Sequence, residues 1–149
     1  MNTKLKGDLA EQAAVIHALK HGWGVLVPVG DRLPYDLVFD VEGSLIRVQV
    51  KSAWLNRSAN NYVVDCRRTK TNRRVMKREC YTLDDFDFAL AYIEELDTFY
   101  VFPVEVFIGY AGEIHMVESP KRQRKPKSAE YRNAWYLISQ WAVRPETVG

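Results

Sequence analysis

Three polar side chains, Asp36, Gln49 and Lys51, have types and spacing that could support metal-assisted hydrolysis. An Asp oxygen and an amide oxygen can both hold a hard divalent cation such as Mg²⁺ or Mn²⁺. A Lys two residues beyond the amide can stabilise a phosphate or help to position an attacking water. A fourth side chain, Glu11, could add an oxygen ligand from a helix. We predict that Glu11, Asp36, Gln49 and Lys51 are catalytic and that the first three bind the metal.

A β-hairpin is predicted to carry Asp36, Gln49 and Lys51. Two runs rich in β-branched and aromatic residues flank a Glu42-Gly43 turn signal. This turn places Asp36 opposite Gln49, whereas a turn one residue later would place Asp36 opposite Lys51. Both registers give the same two faces, because side chains alternate across a strand. The predicted core face carries Tyr35, Leu37, Phe39, Val41, Ile46, Val48 and Val50, and the predicted polar face carries Asp36, Val38, Asp40, Leu45, Arg47, Gln49 and Lys51.

Residues 3–21 have apolar side chains at helical spacing, and Gly22 is a typical stop signal. Glu11 lies in the same row as Val15 and Ala18, which should face the sheet. Burying an unpaired carboxylate is costly. We therefore interpret Glu11 as a metal or water ligand; the alternative is a Glu at the edge of the apolar side, bonded to water. The predicted apolar side is broad and comprises Leu5, Leu9, Ala10, Ala13, Ala14, Val15, Ile16, Ala18 and Leu19.

The other elements follow from shorter patterns. We predict a buried strand near 24–29, a polar loop at 52–61, and a strand at 61–66 that completes a mixed sheet. A second hairpin within 81–103 should pack into the core, with Asp84, Asp85 and Asp87 serving as caps or turns. The remaining predictions are a helix at 104–109, a strand at 113–117 and a final helix at 129–141.

The segment Pro34-Tyr35-Asp36, followed by Gln49-Val50-Lys51, resembles the core of the PD-(D/E)XK nucleases, with Gln49 standing where the family usually has Asp or Glu. The resemblance covers roughly 7–51 and reaches 86–89 and 100–103. It implies an α/β (α+β, mixed-sheet) restriction-endonuclease-like fold with an N-terminal helix and flanking helices. The small size, the Gln and the Arg-rich loops resemble a bacterial group I intron homing endonuclease. That likeness implies site-specific double-strand cleavage of DNA.

Length and composition are consistent with one nuclease domain spanning 1–149. The apolar fraction of 47% and the charged fraction of 27% are ordinary for a globular protein. No apolar run is long enough to span a membrane, and no secretory segment follows Met1. Cys66 and Cys80 do not form a metal-ligand cluster, so a reduced cytoplasm is expected, with association to the nucleoid through DNA.

The net charge of +2 conceals a strong clustering of cations, since twelve of the 21 Lys and Arg residues lie within 67–78 and 121–127. Clustered cations favour a polyanion, because each phosphate contact releases condensed counterions. A solvated loop is the alternative for either cluster alone. We expect two basic loops, at about 53–80 and 119–128, to contact double-stranded DNA. The predicted DNA-binding residues are Arg57, Arg67, Arg68, Lys70, Arg73, Arg74, Lys77, Arg78, Lys121, Arg122, Arg124, Lys125 and Lys127.

One small chain offers one such site, whereas a double-strand cut needs two. A homo-oligomer is therefore expected, and a dimer of dimers is favoured over a simple dimer. Three alternatives stay open: a Holliday-junction resolvase of the same fold, a non-catalytic nucleic-acid-binding module, and a restriction enzyme. The sequence carries no phosphate-binding GxxxxGK[ST] loop, HExxH or GxSxG motif, and their absence argues against ATPase, zinc hydrolase and serine hydrolase activities.

Overall fold

The computed structural model describes residues 2–71, 76–119 and 125–145 of the chain. A five-stranded mixed sheet lies at its centre, accompanied by a three-stranded sheet and a two-stranded ribbon. The elements are α1 (Thr3–Lys20), β1 (Gly24–Leu26), β2 (Leu37–Val41), β3 (Ser44–Ser52), β4 (Trp54–Asn56), β5 (Asn61–Asp65), β6 (Arg67–Thr71), β7 (Met76–Cys80), β8 (Phe88–Ile93), β9 (Thr98–Pro103), α2 (Val104–Gly109), β10 (Glu113–Met116) and α3 (Tyr136–Ala142).

The β2–β3 hairpin has the register predicted from a Glu42-Gly43 turn. Leu37 pairs with Val48, and Val41 pairs with Ser44. Glu42 and Gly43 both have positive φ, 53° and 88°, as the central residues of a tight hairpin turn require. The turn is closed by the carboxylate of Asp40, which accepts the backbone N–H of Gly43 at 2.9 Å. The hairpin prediction is confirmed.

The predicted core face of this hairpin is buried, with one exception. Its six other members lie in one apolar cluster with α1 and α3, whereas Tyr35 packs against the cluster on the opposite side of the sheet. Tyr35 precedes β2, so strict strand alternation does not extend to it. The guanidinium of Arg47, from the polar face, lies 5.9 Å from its ring centroid. The assignment of Tyr35 to the core face was therefore wrong.

Helix α1 packs on the sheet through a narrow row of small side chains, Ala10, Ala14 and Ala18, which are fully buried. The broad apolar side predicted from the sequence was wrong, because Leu5, Leu9, Ile16 and Leu19 are exposed. Asn2 begins the helix by accepting the Lys4 N–H, and Gly22 follows its end with φ of 81°. The small row lets α1 approach β1 and β3 closely, which brings Glu11 near the hairpin.

The central sheet has the order β1-β2-β3-β8-β9, in which β3 and β8 are parallel and the other pairs are antiparallel. The β8–β9 hairpin confirms the prediction for 81–103, and both strands are almost wholly buried. β1 is a three-residue edge strand with Leu26 exposed, so the buried strand predicted over 24–29 was wrong. Pro28, two residues beyond the end of β1, has no N–H to donate to a strand ladder.

The strand predicted at 61–66 exists as β5, but it does not complete the central sheet. It pairs with β4 and β10 in the three-stranded sheet. The predicted polar loop at 52–61 therefore contains a strand, β4. This second sheet and α2 cover the face of the central sheet opposite to α1.

The final helix predicted at 129–141 is interrupted. A short 3₁₀ turn at Ala129–Tyr131 is separated from α3 by a segment in which Asn133 has φ of 50° and its N–H bonds to Phe99. Tyr131 consequently packs in the α2-side cluster and Trp135 in the α1-side cluster. A single helix could not reach both clusters.

The first basic segment forms an antiparallel ribbon of β6 and β7, in which Arg67 pairs with Cys80 and Thr71 with Met76. The ribbon lies within the first of the two predicted basic loops, at about 53–80. The predicted α2 and β10 are also present. Within the described residues, no helix has both the length and the apolar character needed to cross a membrane.

Candidate functional site

Glu11, Asp36, Gln49 and Lys51 line one cleft of about 530 Å³. Glu11 reaches it from α1, Asp36 from the residue before β2, and the other two side chains from successive same-face positions of β3. The alternation of β3 and the close packing of α1 on the sheet explain why residues far apart in the sequence meet here. The structure therefore brings together the four side chains that the sequence predicts to be catalytic.

Asp36 is tied to the far arm of the hairpin by two hydrogen bonds. Its N–H donates to the carbonyl of Val48 at 2.9 Å, and its Oδ2 accepts the N–H of Val50 at 2.8 Å. Burial raises the pKa of Asp36, against the opposing effects of the Val50 N–H and the Lys51 charge. The carboxylate is thus held in position next to Gln49 and Lys51 and does not point away from the cleft.

Glu11 and Asp36 lie within hydrogen-bonding reach of each other. Burial, the negative charge of Asp36 and the charge of Asp8 raise the pKa of Glu11 to about 7. Two neighbouring carboxylates in a partly desolvated cleft are costly to ionise together unless a cation lies between them. A shared proton or a cation would relieve this repulsion.

Lys51 and Gln49 complete the cleft from β3. The Nζ of Lys51 donates to the backbone carbonyl of Arg67 at 3.1 Å and lies 5.2 Å from the ring centroid of Tyr81. The Nε2 of Gln49 is 3.4 Å from the carbonyl oxygen of Val50, to which it donates. This bond assigns the amide nitrogen to the backbone, so the Oε1 atom remains as the acceptor of the amide group.

The donor set fits a hard divalent cation. Two carboxylates and one amide oxygen are the ligand types that Mg²⁺ and Mn²⁺ prefer, and no soft ligand lines the cleft. Across residues 2–71, 76–119 and 125–145, no group of three or more His, Cys, Asp and Glu side chains is placed to hold a metal. Of the predicted ligands, Glu11 and Asp36 would supply two negative charges, and Gln49 would contribute a neutral oxygen.

Further side chains line the cleft that sequence reasoning did not place there, among them Lys6, Ser52 and Asp65. The Nζ of Lys6 donates to the carbonyl of Ala53 at 3.3 Å. The Ser52 Oγ is buried and makes no hydrogen bond to another described group. Asp65 was missed because β5 was expected in the central sheet; the acid at the end of a strand directly before a basic segment was the available signal.

The predicted DNA-binding residues fall into several settings. Arg57 is exposed in the turn between β4 and β5. Arg67 is paired with Asp65, and Arg68 donates to the carbonyl of Arg32 at 3.2 Å. Lys125 and Lys127 are exposed. The side chains of Lys70, Lys77 and Arg78 lie outside the part of the chain that is described, as do the residues Arg73, Arg74, Lys121, Arg122 and Arg124.

Two of the three acidic residues at 84–87 use their side chains in structural hydrogen bonds, as the sequence predicts. Asp85 accepts the Thr82 N–H at 2.8 Å, and Asp87 accepts the Arg47 N–H at 2.8 Å. The Arg47 guanidinium also donates to the carbonyl of Asp84 at 2.6 Å. These bonds join the loop before β8 to β3, and none of the three Asp residues lines the cleft.

Comparisons with known proteins agree with this geometry. The solved structure of a bacterial homing endonuclease, I-Ssp6803I, is 64% identical and superposes with a TM-score of 0.91, covering 99% of this chain and 100% of that one. A comparison with curated proteins gives no match. The sequence profile of the PD-(D/E)XK endonucleases matches residues 1–138. Because that match spans nearly the whole chain, the protein belongs to the PD-(D/E)XK endonuclease family.

Proposed function

We propose that this endonuclease is a site-specific homing enzyme that cuts both strands of intron-lacking DNA by metal-dependent phosphodiester hydrolysis. The observation that carries the proposal is the meeting of Glu11, Asp36, Gln49 and Lys51 in one cleft. The likeness to a bacterial homing endonuclease over the whole chain supports the homing role. A bacterial cytoplasm, with the enzyme on DNA, is the proposed location.

Glu11, Asp36 and Gln49 would hold the divalent cation, Mg²⁺ or Mn²⁺, through their side-chain oxygens. Such a cation, when bound, polarises a phosphoryl oxygen and lowers the pKa of water. Asp36 can be a fixed ligand because the Val50 N–H holds one of its oxygens. Glu11 must lose its proton to bind a cation, and its pKa of about 7 places that loss near neutral pH.

Lys51 acts on the phosphate itself. Its ammonium group is held by the Arg67 carbonyl on the side of the cleft where Asp36 and Gln49 also lie. A fixed positive charge stabilises the negative charge that develops on the phosphoryl oxygens during hydrolysis. Because the group is positioned before the reaction, little reorganisation is required when the charge develops.

The two basic segments are the proposed DNA contacts. The ribbon of β6 and β7 begins at Arg67, directly beside the cleft, so a duplex lying along the ribbon would pass over Lys51. Arg57, Arg68, Lys125 and Lys127 would contact phosphates together with the other cations of 68–78 and 121–127. Arg side chains of the ribbon are suited to read guanine edges in the major groove.

Cutting two strands with one cleft per chain requires at least two copies. We propose a homo-oligomer with two-fold symmetry, as a dimer of dimers. Light scattering of the purified protein tests this: the mass of four chains is expected. A mass of two chains would remove the tetramer but keep double-strand cutting possible, and a mass of one chain would remove both.

The proposed function is tested on DNA that carries the joined exons of the intron insertion site, against the same DNA interrupted by the intron. The proposal expects both strands of the joined-exon DNA to be cut in Mg²⁺, no cutting in excess chelator, and no cutting of the interrupted DNA. Cutting of four-way junctions without cutting of the linear duplex would instead indicate a resolvase. Binding without any cutting would indicate a non-catalytic module.

A further inference from the structure

We propose that Asp65 and Arg67 are positioning residues that hold the ammonium group of Lys51 in the cleft. The inference rests on the proposed function, because these two residues would act on the reaction only through Lys51. On this inference, the start of the β6–β7 ribbon helps to position a side chain of the cleft, while the rest of the ribbon contacts DNA.

The backbone carbonyl of Arg67 is one acceptor for the ammonium group of Lys51, at 3.1 Å from Nζ. Arg67 is the first residue of β6. Because this acceptor is a main-chain atom, a substitution of Arg67 leaves it in place. What matters for Lys51 is therefore how the peptide group that follows Arg67 is oriented.

Asp65 holds the residue that carries this carbonyl through three hydrogen bonds. Its Oδ1 accepts the Arg67 backbone N–H at 2.8 Å and the Arg67 Nε–H at 3.0 Å, and its Oδ2 accepts from Nη2 at 3.1 Å. The carboxylate thus holds both the main chain and the side chain of a residue two positions later. Paired donation from a planar guanidinium is geometrically demanding, so it restricts the Arg67 side chain. The bond from the N–H anchors the Arg67 main chain beside the carbonyl that accepts from Lys51.

The residue between them, Cys66, anchors the same turn from the other side. It is buried, and its N–H donates to the Gly112 carbonyl at 2.7 Å, next to β10. The link from β5 to β6 is therefore held internally by Cys66 and externally by the Asp65–Arg67 pair. Asp65 also lines the cleft, which places the pair at the boundary between the catalytic residues and the ribbon.

This geometry gives Arg67 a different role from the direct DNA contact predicted from the sequence. Its Nε and Nη2 atoms face Asp65, so a phosphate would have to compete with a carboxylate that is already bonded. The two roles predict different kinetics. A positioning residue changes kcat at saturating DNA, whereas a phosphate contact changes KM and the salt dependence of binding.

The test compares Asp65→Asn with Glu118→Gln in steady-state cleavage of the joined-exon DNA. Glu118 is a matched control, because its carboxylate is also largely buried and paired with a guanidinium, that of Arg132, away from the cleft. We expect Asp65→Asn to lower the cleavage rate at saturating DNA by about ten-fold or more with KM unchanged. Glu118→Gln should leave both quantities as in the wild type, and Asp65→Glu should recover part of the rate.

A double-mutant cycle tests whether Asp65 acts through Lys51. In the Lys51→Ala background, Asp65→Asn should have no further effect on any residual rate, because the group that it positions is gone. If thermal melting shows that Asp65→Asn is unfolded, Arg67→Lys serves instead. This variant keeps the carbonyl and the positive charge but loses the planar guanidinium that pairs with Asp65. It should lower the rate while binding persists.

Three results would overturn the inference. The first is equal rates for Asp65→Asn, Glu118→Gln and the wild type. The second is a defect of Asp65→Asn that excess Mg²⁺ abolishes, which would make Asp65 a cation ligand. The third is a raised KM for Asp65→Asn with an unchanged cleavage rate at saturating DNA. Failure of the proposed function is distinguishable, because the wild type would then leave the joined-exon DNA uncut, or Lys51→Ala would cut it like the wild type. If the wild type cuts, Lys51→Ala is inactive and Asp65→Asn is fully active, only this inference fails.

Discussion

Asp36 and Val50 are joined across the hairpin by a 2.8 Å hydrogen bond from the Val50 N–H to Oδ2 of Asp36. Val50 lies between Gln49 and Lys51, so this bond fixes the carboxylate relative to both neighbouring side chains. Asp36 lies outside the regular strand, but this bond fixes its position relative to Gln49 and Lys51. The bond also lowers the pKa of Asp36, although burial dominates and raises it.

Replacing Asp36 with Asn should abolish cleavage without unfolding the chain. The amide oxygen can still accept the Val50 N–H, but the negative charge that would hold a cation is lost. We expect cleavage to fall by about a hundred-fold or more, and the melting temperature to stay unchanged or rise, because burying a carboxylate is costly. The control is Asp40→Asn, whose oxygen closes the hairpin turn away from the cleft. Equal cleavage by the two variants would contradict a role for Asp36.

Glu11 should give the metal-free protein a characteristic pH dependence. Its pKa rises from 4.5 to about 7 on folding, so the folded chain binds the additional proton between these values. Stability contributed by Glu11 therefore falls as pH rises through this window and stays low above it. At pH 8, without divalent cations, Glu11→Gln should melt higher than the wild type by about 2–4 °C, discounted for solvent exposure. Below pH 4 the two proteins should melt alike; a difference that persists there would refute this origin.

Gln49 sets how tightly the cleft holds a cation. Gln49→Glu would add a third carboxylate beside Glu11 and Asp36, which increases repulsion without metal and attraction with it. We expect the variant to melt lower in chelator, and to reach half-maximal DNA cleavage or metal-induced stabilisation at a lower Mg²⁺ concentration. Thermal melting across a Mg²⁺ titration measures both effects. An unchanged Mg²⁺ requirement would show that Gln49 does not face the cation.

The alanine row of α1 should be intolerant of larger side chains. Ala14 is fully buried against the sheet, and overpacking a dense core typically costs about 1–3 kcal/mol. Ala14→Leu should therefore lower the free energy of unfolding by that amount, measured by chemical denaturation. It should also reduce cleavage, because α1 carries Glu11. Gln12→Leu, at an exposed position of the same helix, is the matched control and should fold normally.

The hairpin and its polar residues were predictable from the sequence because the information is local. Glu42-Gly43 fixes the turn, the turn fixes the register, and alternation then places Gln49 and Lys51 on one face. Glu11 was identified because an acid in a row that faces the sheet needs a physical reason. The predicted meeting of the four side chains in one place is confirmed, while their catalytic roles stay predictions.

The remaining features depend on contacts between distant segments. Nothing near Asn61–Asp65 indicates that β5 pairs with β10 and not with the central sheet. The break before α3 is caused by Asn133, whose backbone bonds to β9. The exposed Leu and Ile side chains of α1 follow the helical period as well as the buried alanines do, so periodicity alone could not select the packed face. Asp65 was missed because it lies at the end of β5, whose pairing partner the local sequence does not indicate.

The central claim is that Lys51 and the carboxylates beside it perform the cleavage, and the most direct test is Lys51→Ala measured for both binding and cutting. The account predicts that this variant binds target DNA with an affinity similar to that of the wild type, because phosphate contacts elsewhere dominate affinity. It predicts no cleavage of that DNA in Mg²⁺. Cleavage by Lys51→Ala at the wild-type rate would contradict the account.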